Sequence, residues 1–120
     1  MVTYGLIDID NFTAYNQING FEKGNDILIE FLKLGQKTLN PKTWGKFGSD
    51  EYLFVLNGSF NEHNHSIFEL LKRSKEVLNI TISIGVSEQV VNVEVKEIIN
   101  LLRVNLLTAK GHGKNRICVT

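Results

Sequence analysis

Hydrophobic positions along the chain recur with two periods, and each period predicts its own kind of element. Residues 2–9, "VTYGLIDI", form a short, apolar, β-branched run that predicts a strand ending in acids. In residues 11–19 an i, i+3, i+6 spacing of Phe12, Tyr15 and Ile18 predicts a short helix, which Gly20 stops. Residues 24–39 carry the strongest helical pattern, with Leu28, Phe31, Leu32 and Leu39 on one face. Asn25 or Asp26 is its expected cap, and Pro41, the only proline, ends it. Two strand-like pieces flank Gly48-Ser49 in "TWGKFGSDEYLFVLNG", a hairpin in which glycine is expected to supply unusual backbone angles. Residues 66–79 predict an amphipathic helix, and 80–88 a strand opened by Ile80. Residues 95–110 predict a helix with an Ile98, Leu101, Leu102, Leu106 stripe, and 116–120 a last strand. The order β-α-α-β-β-α-β-α-β implies a ferredoxin-like α/β sandwich, an α+β palm whose central sheet is mostly antiparallel.

The 120 residues suit one domain over 1–120, with no linker or repeat. Thirteen basic and thirteen acidic residues cancel, so bulk charge gives no reason to expect a nucleic-acid polymer as partner. A single cysteine, Cys118, excludes an internal disulfide and reads as a buried small hydrophobe. The start "MVTYGLIDID" has no basic n-region and no long apolar run, so no membrane partner and a cytoplasmic location are expected.

The charges are unevenly placed. Asp8 and Asp10 end the first strand, Asp50 and Glu51 stand side by side in the hairpin, and "KGHGKNR" makes a basic knot at 110–116. If the first strand lies beside the hairpin, Asp8 and Asp50 approach each other at one sheet edge. Two carboxylates and a backbone carbonyl, that of Ile9, are hard oxygen ligands suited to two Mg²⁺ or Mn²⁺ ions shared with substrate phosphates. The H-x-H of residues 63–65 lacks the further ligands zinc needs and reads as a solvated loop before a helix. His112 reads as a solvent-facing loop residue, and Trp44, Phe47 and Tyr52 as hairpin packing.

"LIDIDNFTAYNQINGFEKGNDILIEFL", "GKFGSDEYLFVL", "ITISIGVSE" and "AKGHGKNRI" resemble, in order and spacing, the GGDEF nucleotide cyclases and the related palm of minimal CRISPR polymerases. The resemblance covers nearly the whole chain. It implies that Asp8, the Ile9 carbonyl and Asp50 hold metal, with Asp8, Asp50 and Glu51 as the catalytic acids. It further implies nucleotide contacts from Phe12, Asn16, Asn25, Gly48, Ser49, Lys110 and Lys114, the two lysines on phosphate. Asp10 is the second acid of the first motif.

Four departures from the GGDEF pattern bear on which member the chain resembles. Asn25 stands where an aspartate reads guanine. An amide carries one donor and one acceptor, which complements adenine. "LNPK" at 39–42 lacks the arginine-x-x-aspartate of a product-inhibition site, and the usual segment before the first strand is absent. Ser49 replaces the second glycine and Phe21 a frequent histidine. The expectation is therefore a metal-dependent nucleotidyltransferase joining NTPs, ATP favoured, into a cyclic di- or oligoadenylate with loss of pyrophosphate. It would act as a homodimer in anti-phage defence, its product read by an effector. The alternatives are a diguanylate cyclase using GTP, or a nucleotide-binding or dimerisation module that turns nothing over.

Overall fold

The computed structural model describes residues 1–90 and 93–120. Its elements are β1 (Val2–Ile9), α1 (Phe12–Asn19), α2 (Phe21–Leu39), β2 (Thr43–Lys46), β3 (Glu51–Asn57), α3 (Phe60–Leu78), β4 (Ile82–Gln89), α4 (Val95–Gly111) and β5 (Arg116–Val119). The strands form one sheet in the order β2-β3-β1-β4-β5, antiparallel except for the parallel β4–β5 pair. This is the α+β sandwich that the hydrophobic pattern predicts.

Period-two alternation decides what each face of the sheet meets. Ile7, Tyr52, Phe54, Ile82, Ile84 and Val86 share one buried cluster with Phe12 of α1, Phe31 and Leu34 of α2, and Ile67 and Leu70 of α3. Leu6 points the other way and packs with Ile98, Leu102 and Leu106 of α4. Helices therefore cover both faces, which explains why β1 is buried along nearly its whole length. A Cβ on Gly85 would stand 2.3 Å from the Leu102 carbonyl oxygen and 2.6 Å from the Leu106 nitrogen, so α4 lies directly on the β4 backbone. Gly85→Ala must push the helix off the sheet. We expect it to cost about 2–3 kcal/mol, measured by denaturant unfolding.

Several local expectations need correction. Asn25 and Asp26 do not cap α2, which begins at Phe21. Gly20, at φ 89°, turns the chain from α1 straight into α2 without a side-chain cap bond. α3 begins at Phe60, because Ser59 Oγ accepts from the Glu62 N–H as the N-cap and the Glu62 carboxylate lies by that hydroxyl, in the sequence "SFNE". Residues 62–65 are thus helical and not a loop. Ile18 is not on a core-facing stripe of α1; it is 82% exposed, and the helix is anchored by buried Phe12 with Tyr15 partly buried beside it. Leu32 lies at the surface of α2. Cys118 is only half-buried, since β5 is an edge strand.

Candidate active site

The sheet brings the acids together at the ends of inner strands, not at a sheet edge. Asp8 is paired across the ladder with Glu51, and the Ile9 N–H donates to the Asp50 carbonyl at 3.2 Å. The Phe47 and Gly48 N–H groups both donate to the Glu51 carbonyl, at 2.7 and 3.3 Å, which closes the β2–β3 turn. Gly48 does not adopt a positive φ. A Cβ there would lie 2.8 Å from Glu51 Oε1, so the end of that side chain would have to turn aside. Ser49 Oγ donates to Asp50 Oδ1 at 3.3 Å, so the residue at the second-glycine position touches the acid beside it.

Asp8 is 7% exposed. Its Oδ2 is ion-paired with Lys110 Nζ of α4, whereas its Oδ1 is buried without any hydrogen-bond partner. Burial first, and then the charge of Lys114, lower the pKa of Lys110 from its usual value. Lys114 Nζ donates to Asn11 Oδ1 at 2.7 Å. The basic knot therefore folds back over the end of β1, as its position on α4 and the following turn requires. His112 is exposed.

Asp10 has a different part. Its carboxylate accepts from Thr81 Oγ1 at 2.7 Å, Ser83 Oγ at 2.7 Å and the Asn115 N–H at 3.0 Å. It joins β1, β4 and the turn carrying Lys114, where Gly113, Lys114 and Asn115 all have positive φ. All three donors are remote in sequence, and no local pattern could have revealed them.

Asn16 and Asn25 lie on neighbouring helices. Asn16 Oδ1 is buried and unpartnered, and Gly24 makes room for it, since a Cβ there would come within 1.8 Å. Asn25 is exposed and lines a shallow groove with Leu28, Ile29, Leu32, Lys46 and Tyr52. Phe12 is placed in the core, its ring stacked on Tyr15 at 6.3 Å. Tyr52 lies on the sheet face opposite Asp8 and Glu51, stacks on Trp44 and donates to the Leu28 carbonyl at 2.8 Å. Burial, then the charge of Asp50, push its phenol above the ordinary range. Phe47 is not packed in the hairpin core; it is 43% exposed beneath Arg103.

Among the described residues no three acidic, histidine or cysteine side chains form a ready metal cage. The donor set on hand is two carboxylates and a backbone carbonyl, all hard oxygens, with one buried Asp8 oxygen lacking a partner. That set fits Mg²⁺ or Mn²⁺, which retain several waters and share their remaining positions with phosphate. Asp8, Ile9 and Asp50 would hold the ions.

Comparison with known proteins gives concordant results. The family model described as "Diguanylate cyclase, GGDEF domain" matches residues 2–116. Diguanylate cyclase A of Treponema denticola is 29% identical over 96% of this chain and 34% of its own length. A diguanylate cyclase of Vibrio cholerae is 28% identical over 94% of this chain and 38% of its own. The chain thus spans about a third of the length of the curated relatives it matches. The solved active GGEEF domain of a diguanylate cyclase from Vibrio cholerae superposes with a TM-score of 0.86 at 28% identity, covering 98% of this chain and 81% of that one. No helix among the described residues is long and apolar enough to cross a membrane.

Proposed function

The chain belongs to the GGDEF domain family, and on that premise we propose that it joins two molecules of GTP into cyclic di-GMP in a metal-dependent reaction that releases pyrophosphate. The observation that carries this reading is the Asp8 carboxylate, buried at the end of β1 with Oδ2 on Lys110 and Oδ1 without a partner. A buried carboxylate oxygen without a partner is a place where an ion or a water is bound, and a divalent cation suits it. The named relatives are diguanylate cyclases, which favours GTP over ATP. The expectation of a CRISPR-type polymerase in anti-phage defence gains no support from them.

Each residue then has a task. Lys114, and Lys110 once drawn from Asp8, bind the triphosphate. Asn16, held against Gly24, contacts the base edge through its side-chain amide. A bound Mg²⁺ or Mn²⁺ supplies Lewis acidity at the phosphoryl oxygens and at the attacking hydroxyl. The ribose hydroxyl of one nucleotide gives up its proton to solvent and forms a bond to the α-phosphorus of the other, the bond to pyrophosphate breaks, and a second such step closes the ring. One small site holds one nucleotide, so two copies facing each other supply both, and a homodimer follows.

One feature favours a second reading with adenine, namely the amide of Asn25. It offers a donor where guanine also donates, and unpaired polar groups discriminate strongly. Product analysis by mass spectrometry, with each NTP in turn and Mg²⁺ or Mn²⁺, tests the proposal: GTP alone should yield the cyclic dinucleotide. Asn25→Asp is expected to change kcat/KM for GTP by less than about threefold, since guanine is already accepted. An adenylate product, or a gain in GTP use of tenfold or more on the order expected for a repaired mismatch, would transfer the case to adenine.

A further inference from the structure

The ladder sets Asp8 and Glu51 directly opposite on the face of the sheet that α4 covers. Like charges in that relation repel. α4 answers with two cations, Lys110 on Asp8 and Arg103 on Glu51. They are seven residues apart, two helical turns or about 10.5 Å, and so emerge on one face of the helix. The Arg103 guanidinium donates to Glu51 Oε2 at 3.1 Å and lies 5.7 Å from the centre of the Phe47 ring. Gly48 supplies the space in which the Glu51 carboxylate sits. Arg103 thus grips the acid from one side while the ring of Phe47 supports the guanidinium.

We propose that Arg103 is a positioning residue, which holds the Glu51 carboxylate toward Phe47 and apart from Asp8, so that Asp8, Ile9 and Asp50 alone are left to receive the divalent cations. The proposal rests on the reading of this pocket as a metal-dependent nucleotidyltransferase site. It assigns a role to α4 beyond that of its phosphate-facing lysine: a second arm that fixes the charge and shape of the acid pocket. Without Arg103, Glu51 is free to swing toward its neighbours, and the pocket gains a full negative charge. Metal should then bind more tightly but in the wrong place.

The test compares wild type, Arg103→Ala and Arg103→Lys by three measurements. These are Mn²⁺ binding to nucleotide-free protein by electron paramagnetic resonance, steady-state turnover of GTP, and thermal unfolding. Arg103→Ala is expected to bind Mn²⁺ about three- to tenfold more tightly, from the extra local charge. Its kcat should fall about tenfold with little change in KM, as for an interaction that serves the reacting geometry. Arg103→Lys restores the charge without the fork, so its Mn²⁺ affinity should match wild type and its kcat should recover in part. Tighter metal with slower turnover is a pairing that mere loss of structure does not produce. Unchanged Mn²⁺ affinity and kcat in Arg103→Ala, or weaker Mn²⁺ binding alongside normal melting, would overturn the proposal. If Arg103→Ala does not fold, Arg103→Gln replaces it with the same expectations. Should wild type turn over no NTP, the enzymatic reading fails, while the Mn²⁺ comparison still decides what Arg103 does to Glu51.

Discussion

Asp8→Asn is expected to reduce pyrophosphate release on the order of 10³-fold while leaving the fold intact. The substitution keeps shape and volume at a site only 7% exposed, so the packing of β1 between β3 and β4 is preserved. What it removes is the charge that meets Lys110 and that the proposed divalent ion would need. The amide also offers an NH₂ group where a cation should be met, so one ligand becomes a repulsive donor. Lys110 is partly exposed and can turn its ammonium to water, which keeps the stability cost small. Turnover within tenfold of wild type, in protein that melts normally, would show that this carboxylate is not a metal ligand.

Asp10→Ala should act in the opposite way, chiefly on stability. Its carboxylate serves Thr81, Ser83 and the Asn115 N–H at once, and the group is 8% exposed. Truncation leaves three donors at a buried junction. The hydroxyls can rotate toward other acceptors, but the backbone N–H cannot, so the expected loss is about 3 kcal/mol in denaturant unfolding. Asp10→Asn retains one acceptor oxygen and should lose less. Because the Asn115 bond also fixes the turn that presents Lys114, phosphate binding should weaken in the same variants. A loss below about 1 kcal/mol for the alanine variant would mean that the junction is not held this way.

These two acids also show what the sequence discloses and what it does not. The placement of Asp8 and Asp50 is legible because each ends or precedes a run with a clear strand period, and that of Lys110 because it stands in the last turn of a helical stripe, with Lys114 in the turn beyond it. Among the described residues the nine elements are likewise legible in their order, since β-branched runs and helical stripes alternate. Helix starts are less so. The α2 start depends on the positive φ of Gly20, which competes with two attractive but unused caps at Asn25 and Asn-adjacent Asp26. The α3 start was written in Ser59 and Glu62, a signal weaker than the apolar stripe that begins seven residues later. Arg103 and the partners of Asp10 are invisible for a simpler reason. Arg103 meets Glu51 across 52 residues, and Asp10 meets its donors across 71, 73 and 105. Only the sheet order brings them together.

The most direct test of the central claim is a crystal structure with Mn²⁺ and a non-hydrolysable GTP analogue, with the metal located by its anomalous signal. Manganese should appear about 2.1 Å from the carboxylates of Asp8 and Asp50 and from the Ile9 carbonyl, with the triphosphate reaching Lys110 and Lys114. Nucleotide bound elsewhere, or an Asp8 still paired with Lys110 and no manganese beside it, would contradict the account.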